Sequence, residues 1–241
     1  MLVKTRGIVL HCVKYGEASL IVDMFTESHG RLSFSIRIPK TKNARIKKQL
    51  FQPMSILDME CDIRSNVSIQ RFREVRLAVP YISIPFDEIK LSISFFLADF
   101  LHYALRGEQQ NEPLFCYLFH SLCWLDGCLT SYSNFHLVFL MRLSRFLGFF
   151  PNLDDDADGY YFDLRNSCFT PVRPVHQDVL EPEEASRIQI LMRMNYETMH
   201  LYAMSRNERN RCIEVMMDYY RLHVPDFPEL RSLAVLRELF G

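Results

Sequence analysis

Residues 19–38 read SLIVDMFTESHGRLSFSIRI. Two runs rich in β-branched and aromatic residues flank Ser28-His29-Gly30, where glycine can adopt the positive φ that a tight turn requires. The second run alternates apolar residues with serine and arginine, so one face of a strand is buried and the other faces solvent. The segment therefore predicts a β-hairpin with one buried face.

Similar runs lie on both sides of this hairpin. Residues 7–13 precede it, separated by a Tyr15-Gly16-Glu17 turn, and the runs 54–59 and 67–78 follow it. Five short strands suit a small closed barrel, and a five-stranded barrel with a basic face is commonly an OB-fold. Residues 1–80 are thus predicted to form an OB-fold domain that binds nucleic acid.

After Pro80 the apolar residues recur with helical spacing. Helices are predicted over 87–106, from Glu112-Pro113, and over 135–149, 181–204, 207–223 and 228–240. Residues 152–179 interrupt this rhythm with an apparent hairpin. The predicted fold class is α+β: the barrel, then an all-α domain over 81–241 with a small irregular hairpin insertion.

Charge is distributed unevenly between the two halves of the chain. Residues 1–80 hold 14 Lys+Arg and 7 Asp+Glu, a formal +7, whereas 81–241 hold 14 and 22, a formal −8. The stretch 28–57 has no acidic residue, and its cations are Arg31, Arg37, Lys40, Lys42, Arg45, Lys47 and Lys48. Clustered cations bind polyanions in a salt-dependent way, so this stretch is a candidate phosphate-binding surface, although a solvated basic loop has the same pattern.

Composition narrows the class of protein. With 49% hydrophobic and 24% charged residues in 241, the chain is expected to be globular and long enough for two modest domains. No apolar run reaches the roughly 20 residues of a membrane helix, and the amino terminus does not resemble an export signal. Seven cysteines within mostly apolar segments fit reduced thiols, so a cytoplasmic protein without membrane contact is expected.

Candidate metal and catalytic motifs are weak. Asp154, Asp156, Asp158 and Gly159 match the first half of a calcium loop, but its twelfth position is Arg165, so an acidic surface turn is the favoured interpretation. Cys116, His120, Cys123 and Cys128 lie in or beside an apolar predicted helix, where buried structural cysteines are favoured over zinc ligands. The sequence has no GxGxxG, phosphate loop or HExxH, so no metal, cofactor or catalytic residue is predicted.

Four aromatic residues in the predicted barrel could stack on bases if they are exposed: Tyr15, Phe25, Phe34 and Phe51. Aromatic residues at strand spacing are more often part of a core.

The chain resembles the RecO family of bacterial DNA repair proteins along essentially its whole length. The resemblance rests on residues 4–10 (KTRGIVL), 14–21 (KYGEASLI), 26–32 (TESHGRL), 145–153 (RFLGFFPNL) and the hairpin residues 161–164 (YFDL). It implies a non-enzymatic mediator of recombination that binds single- and double-stranded DNA and anneals complementary strands. With RecR, such a protein helps load RecA onto DNA coated by the single-strand-binding protein SSB, whose acidic C-terminal tail it recognises.

Carried onto this sequence, the resemblance and the charge pattern together predict a DNA surface. Its residues would be Arg6, Lys14, Arg31, Arg37, Lys40, Lys42, Arg45, Lys47 and Lys48. Many family members carry a four-cysteine zinc knob after the Gly-Phe-x-Pro segment. Here Asp154–Asp158 stand where a first CxxC would fall, so the resemblance implies that this zinc site is lost and that Tyr161, Phe162 and Phe169 pack the hairpin instead.

Two other classes of function remain open. The basic face could bind the acidic tails of partner proteins without annealing DNA. The acidic helical half could bind a basic protein such as RecR. A metal-dependent hydrolase using Asp154, Asp156 and Asp158 is the enzyme alternative.

Overall fold

The computed structural model describes residues 2–17, 19–37, 48–152 and 159–239. By contacts, the chain divides into two compact units, residues 1–127 with 230–239, and 128–229 with 240–241. The predicted domain division, 1–80 and 81–241, stays a prediction, because compactness does not test which segments fold alone.

The first unit contains a closed barrel of five strands. They are β1 (Leu2–Tyr15), β2 (Ser19–Thr26), β3 (Gly30–Arg37), β4 (Ile56–Asp62) and β5 (Ile69–Leu77). Their order is β1-β2-β3-β5-β4, and β1 pairs with β4 to close the barrel. Only β3 and β5 pair in parallel; the other neighbours are antiparallel. The barrel predicted from strand alternation is confirmed.

Every second side chain of β2 and β3 packs inside the barrel. Val22, Met24 and Phe34 are fully buried there with Leu57 of β4. The predicted turn at Gly30 is also confirmed: its φ is +65°, and a Cβ atom would lie 2.4 Å from the backbone of Gln109. Both the backbone conformation and the close approach therefore require glycine.

Three helices complete the first unit: α1 (Glu88–Ala104), α2 (Glu112–Gly127) and α6 (Ser232–Leu239). The Asp126 carboxylate accepts hydrogen bonds of 2.9 Å from the backbone N–H groups of Ile82, Ser83 and Ile84. These bonds fix the segment that leads from the barrel into α1. Phe25 stacks on Phe115 of α2 with centroids 6.5 Å apart, so an outer face of the barrel is covered by helix.

The second unit holds α3 (Phe135–Phe146), α4 (Pro182–Arg193), α5 (Arg206–His223) and a small sheet of β6 (Tyr161–Asp163), β7 (Cys168–Thr170) and β8 (Val179–Leu180). β6 and β7 form the predicted hairpin. Phe162 and Phe169 are buried there, with ring centroids 4.9 Å apart, while Tyr161 is half-buried. The α+β class, with its barrel, helical region and hairpin insertion, is confirmed.

One predicted helix is much shorter than expected. The pattern predicted a helix over 181–204, but α4 ends at Arg193. Asn195 Oδ1 accepts hydrogen bonds from the backbone N–H of Thr198 at 2.7 Å and from its hydroxyl at 2.9 Å. Side-chain bonds of this kind offer the backbone an alternative to the helix, and apolar periodicity does not reveal them.

Candidate nucleic-acid interface

Cations and an exposed aromatic ring meet at one end of the barrel. The register aligns Tyr15 of β1 with Ser19 of β2 and Arg37 of β3, and Lys14 precedes Tyr15. Because neighbouring strands lie about 4.8 Å apart, the backbones of Tyr15 and Arg37 are separated by about 10 Å. The register thus brings Lys14 and Arg37 to the same end of the sheet.

Lys48 opens a short 3₁₀ turn, Lys48–Phe51, whose last residue packs into the barrel core. Burial raises the pKa of the Cys12 thiol on β1, and the Lys48 charge opposes that rise, which indicates that Lys48 lies close to β1. We call Lys14, Arg37 and Lys48 the basic rim. All three side chains are exposed, and within the described ranges none of them forms an ion pair with an acidic residue.

Of the four aromatic residues considered for base stacking, only Tyr15 is exposed to solvent and can stack on a base. It is 66% exposed, beside the basic rim, whereas Phe25, Phe34 and Phe51 are buried. A flat exposed ring among cations is the arrangement that single-stranded nucleic acid uses for stacking.

Four of the predicted DNA-binding cations lie outside the described residues: Lys40, Lys42, Arg45 and Lys47. The segment that carries them follows Arg37 and precedes Lys48, both of which belong to the basic rim. The candidate calcium ligands Asp154, Asp156 and Asp158 also lie outside the described residues.

A second set of barrel cations lines a groove of about 750 Å³. We call it the paired groove. It is lined by four cations, Lys4, Arg6, Arg73 and Arg76, and by four acidic residues, Glu27, Asp58, Glu60 and Glu74. Each cation has a carboxylate partner: the ion pairs are Lys4–Glu60 at 3.6 Å, Arg6–Glu27 at 2.5 Å, Arg73–Asp62 at 2.9 Å and Arg76–Asp58 at 3.4 Å.

Arg6, a predicted DNA contact, lies in the paired groove. Its guanidinium binds both carboxylate oxygens of Glu27 and lies over the ring of Phe119, 4.7 Å from the centroid. The hydrogen bond from Arg6 lowers the pKa of Glu27 more than burial raises it. Arg6 is thus already engaged inside the first unit, although its predicted contact with DNA is untested.

Arg31, another predicted contact, is only 15% exposed in its side chain. Its guanidinium donates to the backbone carbonyl of His102 and lies 3.5 Å from Asp23 Oδ2. Burial lowers the pKa of Arg31, and the Asp23 charge opposes that change. Its role in DNA binding also stays a prediction, and its visible role is to join β3 to α1.

Sequence reasoning overlooked the arginines of β5. Arg71, Arg73 and Arg76 are all exposed, and Arg71 pairs in register with Ser35, two residues before Arg37. The signal was present in the run 69–77 (IQRFREVRL), where Arg71 and Arg73 alternate with other residues at strand spacing. Arg71 extends the basic surface toward β5.

The candidate zinc residues of the second helix are not brought together as a metal group. Cys116, Cys123 and Cys128 are half-buried and form no disulfide among the described residues, so they are less buried than predicted. Within the described ranges, the group of three metal-ligating side chains that does converge is His11, Asp23 and His102. The sequence pattern did not single it out.

In the part of the chain that the structure describes, no helix combines the length and apolar character needed to cross a bilayer.

Comparison with known proteins identifies the family. Residues 1–81 match the family model described as recombination protein O N terminal, and residues 85–234 match the one described as recombination protein O C terminal. The chain is 55% identical to proteins named DNA repair protein RecO from Phocaeicola vulgatus and from Bacteroides fragilis strain YCH46, each over 241 residues that cover 100% of both chains. It is 29% identical over 244 residues to the protein of that name from Porphyromonas gingivalis, again with 100% coverage. The resemblance inferred from the sequence is confirmed, and the chain belongs to the RecO family, with a role in DNA repair and recombination.

Proposed function

We propose that this protein is a non-enzymatic mediator that binds single- and double-stranded DNA and anneals complementary strands. The basic rim is the observation that carries the proposal: three exposed cations, without acidic partners among the described residues, lie on a barrel that also exposes Tyr15, in a chain of a DNA repair family. Cations without partners can neutralise phosphates, whereas cations in ion pairs must first lose a carboxylate.

Annealing requires no covalent chemistry. Two phosphate backbones repel each other, and a surface that neutralises some of their charge allows the bases to test pairing. Flexible lysines serve this purpose better than rigid guanidinium forks that read base edges, and a sequence-tolerant stacking residue such as Tyr15 suits single strands. We propose that Lys40, Lys42, Arg45 and Lys47 extend the basic rim as phosphate contacts.

The family resemblance supports the partner assignments. We propose that the protein acts with RecR to load RecA onto DNA coated by SSB, and that it recognises the acidic C-terminal tail of SSB. The formal −8 of residues 81–241 favours a helical surface that attracts a basic partner such as RecR. We further propose that it works in the cytoplasm, associated with the nucleoid, and that its function requires no zinc knob.

The test is the affinity for a fluorescent single-stranded oligonucleotide across a salt series, with annealing of the complementary strand followed in the same samples. Steep salt-dependent binding together with faster annealing is expected. The variant with five substitutions, K40A/K42A/R45A/K47A/K48A, should bind DNA of every sequence more weakly. Its slope of log affinity against log salt should be less steep. An unchanged slope would contradict the assignment of these cations.

The alternative docking function is tested by adding a fluorescent acidic peptide in place of the DNA, because the basic rim could also bind an acidic peptide. If the protein binds an acidic peptide but no DNA at low salt, it is a docking module. If it turns over DNA with added divalent ions, the proposal that it is not an enzyme is wrong.

A further inference from the structure

We propose that His11, Asp23 and His102 form a binding site for a transition-metal dication, with Zn²⁺ as the ion that suits them best. Each residue offers one ligand atom, and the three atoms lie within 4.8 Å of one another. Two imidazoles and a carboxylate are the donors of many zinc sites that leave a fourth position open for water. The site lies within the first unit and is separate from the proposed phosphate contacts of the basic rim.

The strand register brings two of the ligands together. His11 of β1 pairs directly with Asp23 of β2, just after a β-bulge between Val9 and His11. A bulge changes the direction of the side chains that follow it and often re-aims one of them. His102 comes from the last turn of α1. Residues from two strands and one helix therefore converge at a single point.

The spacing of the ligand atoms fits a tetrahedral ion. His102 Nδ1 lies 3.5 Å from Asp23 Oδ2. Zinc bonds of about 2.0–2.1 Å at tetrahedral angles hold two ligand atoms roughly 3.4 Å apart, so these two atoms are already at nearly the required separation. The His11 and His102 rings have centroids 4.5 Å apart, and a ligand atom of His11 lies within 4.8 Å of the other two ligand atoms.

The Asp23 carboxylate is held in place by a neighbour. Ser33, its partner in register on β3, donates a hydrogen bond of 2.5 Å to Oδ1. Oδ2 is the oxygen that faces His102. A hydrogen bond that orients a ligating carboxylate commonly strengthens metal binding by a factor of about 10–100. Asp23 and His102 are 18% and 15% exposed in their side chains, while His11 is exposed and gives an ion access from solvent.

Arg31 is the competitor for this position. Its Nη2 lies 3.1 Å from His102 Nδ1 and 3.5 Å from Asp23 Oδ2, so one positive charge is already attracted there. A dication must displace both contacts, although Arg31 can keep its bond to the His102 carbonyl. Removal of a ligand should therefore weaken metal binding, whereas removal of the Arg31 charge should strengthen it. Loss of folding cannot produce the second effect.

The experiment measures Zn²⁺ and Co²⁺ binding to the full chain by calorimetry, metal analysis after dialysis and the visible spectrum of the Co²⁺ form. We expect one Zn²⁺ per chain and Co²⁺ bands of four- or five-coordinate geometry. The exposed ligand is changed in His11→Ala, which should weaken Zn²⁺ binding at least about tenfold. His200→Ala, an exposed histidine of the second unit, is the matched control and should bind as the wild type does.

Zinc should also raise the melting temperature of the wild type and of His200→Ala, but not of His11→Ala, because the ion joins β1 and β2 to α1. Arg31→Gln should bind Zn²⁺ more tightly than the wild type. Equal zinc content in His11→Ala and the wild type would overturn the proposal, as would the absence of zinc binding by the wild type. Weaker binding by a folded Arg31→Gln variant would also overturn it.

Discussion

The basic rim and the paired groove lie on the same barrel and carry similar numbers of cations, yet they differ in what those cations contact. Lys14, Arg37 and Lys48 of the rim have no acidic partner among the described residues, whereas every cation of the groove has one within 3.6 Å. A phosphate that approaches the groove must compete with carboxylates fixed in place, and one that approaches the rim competes only with water and salt. The number of cations on a surface therefore does not by itself show how many of them are open to phosphate.

The largest loss of affinity for DNA is expected when the charges of the basic rim are removed. K14A/R37A/K48A should weaken binding of single-stranded DNA by roughly 10- to 100-fold and lower the salt slope by about 2, since three phosphate contacts are lost at about 0.7 each. Fluorescence anisotropy across a salt series measures both quantities.

The matched control removes three cations of the paired groove. K4A/R73A/R76A should change the affinity by less than about threefold, because these cations are already neutralised. If both triple variants lose the same affinity and slope, pairing with carboxylates does not decide which cations bind DNA.

A smaller effect is expected for the exposed ring beside the rim. Tyr15→Ala should cost about 1 kcal/mol of single-strand binding, roughly fivefold, because it removes a stacking surface. The salt slope should stay constant, since no charge is lost. Tyr15→Phe keeps the ring and should bind as the wild type does; an equal loss in both variants would assign the effect to the hydroxyl group.

A rise in affinity is expected when the carboxylates of the paired groove are removed. D58N/E60Q removes the carboxylates that hold Arg76 and Lys4 while preserving side-chain size. We expect affinity for single-stranded DNA to rise about two- to fourfold and the salt slope to increase by less than 1. Unchanged binding at low salt would show that the geometry of the groove, and not its ion pairs, excludes DNA.

The smallest expected effect concerns stability and pH. Arg6 holds the pKa of Glu27 below its usual value, so this pair stabilises the fold above the unfolded pKa of glutamate, about 4.3. The contribution is lost as the pH falls through the lower folded value. Glu27→Gln should reduce the free energy of unfolding by about 1 kcal/mol at pH 7, and the difference from the wild type should shrink toward pH 3.

Chemical denaturation at several pH values measures this difference. The control is Glu17→Gln, at an exposed glutamate in the turn between β1 and β2, which should match the wild type throughout. A Glu27→Gln difference that is equally large at pH 3 and pH 7 would mean that the ion pair is not its source.

Much of the fold was predictable because the relevant signals are local. Alternation in residues 31–38 and glycine at position 30 specify a strand and its turn, and both occur as predicted. The strand β1 was predicted as 7–13 but spans Leu2–Tyr15, because pairing with β4 extends its start and pairing with β2 extends its end. The helix predicted over 181–204 ends early because of the hydrogen bonds between Asn195 and Thr198, which a count of apolar residues ignores.

The candidate site was predictable only in part. The sequence located an excess of positive charge in residues 1–80 and included Lys14, Arg37 and Lys48 in the DNA surface. It did not distinguish them from Arg6, which binds Glu27, or from Arg31, which is held by His102 and Asp23. Glu27 is 21 residues from Arg6 and His102 is 71 residues from Arg31 along the chain, so no local pattern reveals these two contacts. Asp23 is only eight residues from Arg31, and the pairing of β2 with β3 brings the two together.

Residue types and their spacings were enough to predict the periodicities of strand and helix, the turns at Gly16 and Gly30 and the uneven charge of the two halves, because each of these is a local property of the chain. Only the folded arrangement shows which of the described cations are paired with carboxylates and which are open to phosphate. It also decided that His11, Asp23 and His102 converge. Ion pairs and the approach of these three side chains depend on distances of a few ångströms between atoms from different strands and a helix, so they are fixed only when the barrel closes and its helix packs.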